Sequence, residues 1–391
     1  MIKSFYPPLR TLMGPGPSDV HPRVLEALAR PTVGHLDPAF QQLMEEIKLG
    51  LRYAFKTENS LTYPVSAPGS AGMETCFANL VAPGTEVVVC RNGAFGGRMQ
   101  ENVVRAGGKA IMVDFEWGTA IDPNQVEDAL KANPNASVLA FVHAETSTGV
   151  KADAATLADL ARKYDCLTIM DCVTSLGGSE LELDKWGIDA AYSGSQKCLS
   201  APPGLSPVSF SSRAAEFVKS RETKVQSWFL DLSLVMDYWD GTGGRTYHHT
   251  APVNALYGLH EALVILSEEG IDNAWARHEK MHTALVAGLG AMGLEMLVNP
   301  EDRLNQLNTV KVPDGVDEAA VRTHALKHFN LEIGAGLGSL AGKVWRIGLM
   351  GHAAKRENIT LCMAALSSAL AEQQVKVDLN ASYDAVMQKL Q

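Results

Sequence analysis

Lys197 closes the string SGSQK (193–197), runs on into CLSAPPG (198–204), and follows Asp171 by 26 residues. Its neighbours are Gly, Ser, Cys, Leu, Ala and Pro, which leave it few charged companions and a confined setting. Burial disfavours an ammonium ion, so such a lysine can shed its proton and attack a carbonyl as a free amine. Asp171 ends the strand-like run LTIMD (167–171), where a carboxylate can face a protonated ring nitrogen. A pyridoxal phosphate Schiff base requires that partner. The competing reading is an ordinary solvated loop lysine, because most lysines are exposed. The rest of the chain decides between the two.

A phosphate needs backbone N–H donors and a hydroxyl, best supplied where a glycine-containing turn opens a helix. SAPGSAGMETCFANL (66–80) has that form. Gly69 and Gly72 permit close backbone approach, Ser70 offers a hydroxyl, and Met73, Phe77 and Leu80 begin a helical stripe. The same string also reads as a plain strand-to-helix turn capped by Ser70. No Gly-Lys-Ser/Thr follows it, and no G-x-G-x-x-G fingerprint follows an early strand. Arg346 lies in GKVWRIGLMG (342–351), an apolar strand in which an arginine normally faces a buried anion. That anion is either a substrate carboxylate held by two bonds or one of the chain's own acids. Phe95, in the glycine-rich loop RNGAFGGR (91–98), can stack on a flat ring or simply pack the loop. Tyr247, His248, His249 and Thr250 form a polar aromatic cluster, but no further ligand at helical spacing supports a metal there. His35 and His143 read as satisfied structural histidines.

These residues need a frame. The clearest helix is DPAFQQLMEEIKLGLRYAF (37–55), with Asp37 as its cap, Pro38 at its first position, and one apolar stripe through Phe40, Leu43, Met44, Ile47, Leu51 and Ala54. Short apolar runs follow at 86–90, 110–113, 138–142, 167–170, 190–192 and 208–210. Amphipathic helices such as 123–132 and 154–164 lie between them. This alternation predicts an α/β fold with a mostly parallel sheet covered on both faces. Ligands of such sheets bind beyond the carboxyl ends of the strands, where Asp171 and the loop carrying Thr146 belong. Residues 212–250 read as irregular, and a long helix over 253–270 leads into a second set of helices and strands. The predicted division is an N-terminal segment 1–20, a large domain 21–268 and a small C-terminal domain 269–391.

The chain of 391 residues is 46% hydrophobic and 20% charged, enough for a large core and two domains. Thirty-four basic against forty-four acidic residues give a net charge of −10 with no basic run, which disfavours nucleic-acid and anionic-membrane partners. The six cysteines (76, 90, 166, 172, 198, 362) form no C-x-x-C pair and sit mostly in apolar surroundings, a pattern of buried free thiols rather than disulfides or zinc. Neither a signal core nor a membrane span of about 18 apolar residues is visible, and the expected location is the cytoplasm.

Taken together, the chain resembles the class V, fold type I pyridoxal phosphate aminotransferases, in particular the alanine–glyoxylate and serine–glyoxylate (serine–pyruvate) branch. The likeness runs through LMGPGPSDVHPRV (12–24), the 37–55 helix, HAETSTGV (143–150), DCVTSLGG (171–178), YSGSQKCLSAPPG (192–204), YHHTAPV (247–253) and GKVWRIGLMG (342–351), in the family's order. It implies a seven-stranded sheet in the large domain and an α+β small domain. It makes Lys197 the Schiff-base lysine and Asp171 the partner of the pyridine nitrogen. Thr146 falls where a hydroxyl approaches the cofactor's phenolic oxygen, Phe95 where an aromatic ring stacks on the pyridine, and Gly69, Ser70 and Gln196 at phosphate-binding positions. Tyr247 and Thr250 match residues that reach the phosphate from the other subunit, which implies a homodimer with shared sites. Arg346 matches the carboxylate-binding arginine, and Gly16 of the GPGP turn lies near the substrate. Trp345 is bulkier than the leucine of some relatives and bears on the shape of the pocket.

The implied reaction moves the amino group of alanine or serine to glyoxylate or pyruvate. Two rivals share the fold. Pyridoxamine–pyruvate transamination uses much of the same pattern. A lyase such as a cysteine desulfurase needs a mobile cysteine in the C-terminal third, where only Cys362 occurs. A single clamp at Arg346 predicts substrates whose only anion is the α-carboxylate. Arg245 is the candidate second cation should that fail.

Overall fold

The computed structural model of the chain describes residues 1–240 and 246–391. Seven strands form the main sheet in the order Leu61–Val65, Ser206–Phe210, Ala190–Tyr192, Leu167–Asp171, Ala136–Val142, Glu86–Arg91 and Lys109–Asp114. Only Ser206–Phe210 runs against its neighbours. The other pairings are parallel, as the alternation of apolar runs and amphipathic helices predicts. All six predicted runs fall on strands. The seventh, Leu61–Val65, is absent from the sequence reading because Pro64 cannot donate to a ladder, and its place at the sheet edge is where a proline is tolerated.

Local chemistry sets the helices. Asp37 accepts a hydrogen bond from Ala39 N–H at 2.8 Å and starts the Pro38–Phe55 helix. Phe40, Met44, Ile47, Leu51 and Ala54 are buried along its predicted stripe, whereas Leu43 is half-buried. Asp122 caps Pro123–Ala132 and Asp153 caps Ala154–Lys163 in the same way. Fully burying one large aliphatic or aromatic side chain contributes about 1.5–3 kcal/mol, so this packing fixes where the strand ends lie. The stretch 212–250 is more regular than predicted: Ser211 caps a helix over Ser212–Ser220, and a second helix covers Leu232–Asp240. The aromatic residues that mask this pattern, Tyr238 and Trp239, are buried against the sheet's core.

A second core is built from Met13 and residues 284–386. It surrounds an antiparallel three-stranded sheet of Leu307–Lys311, Val344–Gly348 and Gly334–Ala335, flanked by the helices Ile271–Ala291, Arg356–Glu372 and Leu379–Leu390. We propose a domain division near residue 268, which the separation of the two cores supports. The N-terminal segment belongs with the second core by contact. Thr11–Leu12 pairs with Leu331–Glu332, and Gly348 N–H donates to Met13 O at 2.7 Å.

Among the described residues, no helix is long and apolar enough to cross a membrane. The six cysteines are unpaired and buried.

Candidate active site

Asp171 is the last residue of its strand, with Tyr192 and Val142 as its register partners on either side. It therefore stands at the carboxyl edge of the sheet, as the fold requires of a ligand-facing residue. One carboxylate oxygen accepts from Val173 N–H at 2.9 Å and the other from the Tyr192 hydroxyl at 2.8 Å. Burial pushes this carboxyl up to about 7, against the pull of those two bonds and of the Lys197 charge. Tyr192 is missing from the sequence reading. Its position five residues before the lysine, on the neighbouring strand, is the signal that could have found it.

Lys197 follows directly in the loop after Ala190–Tyr192 and is 8% exposed. Burial lowers its ammonium to about 8, with nearby Cys198 and Asp171 opposing and the Arg346 charge adding to the effect. The confined-lysine reading is therefore the correct one, and the solvated-loop reading is not. Its Nζ donates to Pro15 O. Gly16 has φ +107°, and a Cβ there would come within 2.5 Å of the Lys197 Nζ. The GPGP turn thus forms a roof over the amine, and only glycine leaves it room.

A cavity of about 180 Å³ opens beside the amine. Gly69, Ser70, Phe95, Thr146, Asp171, Gln196 and Lys197, brought from five separate stretches of chain, all line it. The helix Gly69–Leu80 begins at Pro68 with no side-chain cap, so Ser70 does not cap it. Gln196 Oε1 is buried without a partner. An amide's orientation follows its hydrogen-bond partners, so this side chain is equally able to present its NH₂ to a phosphate oxygen. An uncapped helix start, an orphaned amide, a buried carboxylate and a poorly solvated amine fit pyridoxal phosphate, the group that the resemblance implies.

Phe95 lies in the first turn of the Ala94–Arg105 helix rather than in a loop, and is partly buried. Gly96 and Gly97 hide that helix in the sequence, because glycine is a poor helix former. Arg98, also missed, lies 4.7 Å from the Phe95 ring and borders the cavity as well as the adjoining groove beside Ser70, Met73 and Glu74.

Arg346 is 6% exposed. Its Nε donates to Ala335 O at 2.6 Å and Nη1 to Thr146 O at 3.0 Å. No carboxylate among the described residues pairs with it directly; burial lowers its pKa, and the charge of Glu145 opposes that from a distance. Trp345 points the other way, into the second core, with its indole N–H on Glu318 O at 3.2 Å. It does not shape the cavity.

The YHHT segment sits apart from these residues. Tyr247 is exposed and its hydroxyl is 3.2 Å from Thr250 Oγ1, while His35 lies 5.4 Å away, ring to ring. His248 stacks on Trp228, and His249 bonds Ser66 Oγ at 2.7 Å. Within this chain neither Tyr247 nor Thr250 lines the cavity. Arg245 lies outside the described residues. His143 is a satisfied structural histidine, bonded to Ser175 Oγ at 2.9 Å and packed on Trp186, and burial lowers it to about 3. Cys362 is fully buried within the Arg356–Glu372 helix, with its thiol pushed up to about 12 by burial, so it lacks the mobility a desulfurase nucleophile needs.

The lowered lysine pKa makes a direct prediction. The unprotonated fraction of Lys197 should rise with pH around 8 and level off above it, whereas exposed lysines follow near 10.4. Acetylation of the cofactor-free protein by a neutral reagent, mapped by peptide mass, should show this early midpoint on the peptide containing 193–204. A midpoint matching the other lysines would put the amine in water.

Comparison with known proteins gives the same reading. The sequence profile described as Aminotransferase class-V matches residues 17–361. The chain is 39% identical over 383 residues to an alanine–glyoxylate aminotransferase of Drosophila melanogaster, covering 97% of each chain. A crystal structure of an alanine–glyoxylate aminotransferase from Nostoc sp. superposes with a TM-score of 0.93 at 45% identity, covering 95% of this chain and 97% of that one. A ureidoglycine–glyoxylate aminotransferase from Bacillus subtilis gives 0.95 at 35% identity, covering 99% and 100%. With the fold, the confined lysine and these relatives in agreement, the chain belongs to the class-V aminotransferase family.

Proposed function

We propose that this protein transfers the amino group of a small amino acid, alanine or serine, to glyoxylate or pyruvate, with pyridoxal 5'-phosphate as cofactor. The observation that carries the substrate class is Arg346, a buried guanidinium with no carboxylate partner among the described residues, close enough to Lys197 for its charge to be felt there. A buried cation left unpaired is costly, and an incoming α-carboxylate supplies the missing charge and a two-bond geometry. The names of the relatives support glyoxylate as acceptor.

When bound, the cofactor supplies an aldehyde for the amino group and a ring that takes up the electrons released at the substrate's α-carbon. The chain's residues do the rest. Lys197 would hold the cofactor through its amine, and as a free amine it would take up and give back the proton of the substrate's α-carbon, acting as base and then acid. Asp171 would hold the proton on the ring nitrogen. A cation placed against it also reverses the cost that now raises its pKa. Gly69 and Ser70 at the uncapped helix start, together with Gln196, would hold the phosphate. Thr146 would serve the phenolic oxygen and Phe95 the ring, while Gly16 would roof the substrate space.

The active unit is a homodimer in which Tyr247 and Thr250 reach the partner's phosphate. Their exposure and their distance from this chain's own cavity support that, and a sedimentation mass near 42.0 kDa would count against it. A cytoplasmic location accords with six unpaired buried thiols.

A half-reaction tests the function. Cofactor-loaded protein mixed with alanine should lose its visible band and release one pyruvate per site, and glyoxylate should restore the band with formation of glycine. A spectrum that answers to pyridoxamine or cysteine but not to alanine or serine would defeat the proposal.

A further inference from the structure

Glu145 is completely buried in the segment that carries Thr146, and the reaction as drawn gives it no part. The helix bearing Phe95 starts at Gly93, which has no side chain with which to cap it. Its first N–H groups are capped instead from fifty residues away. Ala94 N–H donates to Ser147 Oγ at 2.9 Å, and Phe95 N–H donates to Glu145 Oε2 at 3.1 Å. The other oxygen, Oε1, accepts from Ser147 N–H at 3.0 Å and from the Ser147 hydroxyl at 2.5 Å. On the far side of the same three residues, Thr146 O receives Arg346 Nη1. Residues 145–147 therefore form one bracket that holds the aromatic ring at 95 and the guanidinium at 346.

The chemistry of the bracket is specific to a carboxylate. Burial pushes the Glu145 carboxyl above its ordinary range, and the hydrogen bonds from Ser147, Phe95 and Gly96 oppose that shift. Each group that faces its two oxygens is a donor, the arrangement that an acceptor-only carboxylate satisfies. A glutamine would turn its NH₂ against either the Phe95 or the Ser147 N–H, and a buried unmatched donor is costly. Gly93 provides the space, because a Cβ there would overlap the Glu145 carboxylate carbon.

We propose that Glu145 is a positioning residue for transamination, setting the Phe95 ring and the Arg346 clamp in register through the 145–147 bracket. This rests on the reading of the cavity as the cofactor and substrate site.

Glu145→Gln tests it through three readouts besides turnover: the Kd for pyridoxal 5'-phosphate, the visible circular dichroism of the bound cofactor, and KM for alanine. A displacement on the ångström scale at a reacting site costs up to about a hundredfold. The Kd should rise roughly tenfold or more, the dichroic band should weaken, and KM should rise by more than kcat falls. In a Phe95→Leu background the same change should shift the Kd much less, because both substitutions act on one ring. A variant that melts at lower temperature yet keeps the wild-type Kd, dichroism and KM would reduce Glu145 to a structural residue and overturn the proposal. Full additivity with Phe95→Leu would do the same. If Glu145→Gln does not fold, Ser147→Ala removes one donor to Oε1 and the Ala94 cap and must show the same shifts in milder form. Wild-type values there overturn the proposal as well. Failure of the underlying reading looks different, since the wild-type protein would then not retain the cofactor at all, and the proposal would fall with it.

Discussion

Lys197→Ala is expected to abolish turnover while leaving the cofactor bound. In the proposed reaction the amine has two duties, attachment and proton transfer at the substrate's α-carbon. The second alone is worth about 10²–10⁴-fold. The proposed phosphate end of the cavity, with the uncapped Gly69–Leu80 helix and the Gln196 amide, is untouched by the substitution. Dialysed variant should therefore retain cofactor by absorbance, without covalent linkage, and lose at least about 10³-fold in kcat. In the wild type, borohydride should fix the cofactor on the peptide containing 193–204. Activity within tenfold of wild type, or fixation on any other peptide, would remove Lys197 from the centre of the reaction.

The second large effect concerns Arg346. Truncating one member of a buried, hydrogen-bonded charge pair costs about 2–5 kcal/mol, or roughly 30- to several-thousand-fold. Arg346→Gln should lower kcat/KM for alanine within that range, chiefly through the binding of the α-carboxylate. Arg346→Lys should recover only part of it, because an ammonium cannot reproduce the planar fork that now also bonds Ala335 O and Thr146 O. A single clamp also sets preference. A second carboxylate buried without a partner is penalised by several kcal/mol, so alanine and serine should exceed glutamate, and glyoxylate and pyruvate should exceed 2-oxoglutarate. A kinetic preference for glutamate in the wild type would contradict this. It would direct attention to Arg98 in the cavity wall, or to Arg245 beyond the described residues.

What could be read without coordinates was the part that is local. The strand ends and the capped helices follow from short-range composition, because Asp, Pro and apolar spacing act within one or two turns, whereas the string around Lys197 left its seclusion open. What could not be read depends on groups far apart in the chain. The Ala94–Arg105 helix looks like a glycine loop because its caps, Glu145 and Ser147, come from another strand end. The state of Arg346 was open for the same reason: whether an acid reaches it is a tertiary fact. Leu61–Val65 was lost to Pro64, a local signal that a sheet edge overrides. Tyr192 shows a different limit, since a tyrosine at a strand end reads as core until Asp171 is seen within reach of its hydroxyl.

The GPGP roof has a consequence for how the protein is made. Residues 13–16 leave the ribosome more than 300 residues before their partners, since Met13 is held by Gly348 and the adjoining strand by Leu331–Glu332. Contacts of such long sequence separation form late, because the loop entropy must be overcome before they contribute. A nascent chain that has completed the seven-stranded sheet already carries Lys197 and Asp171 but has nothing closed above the amine. Until those distant partners exist, the roof over Lys197 lacks the contacts that hold it in place.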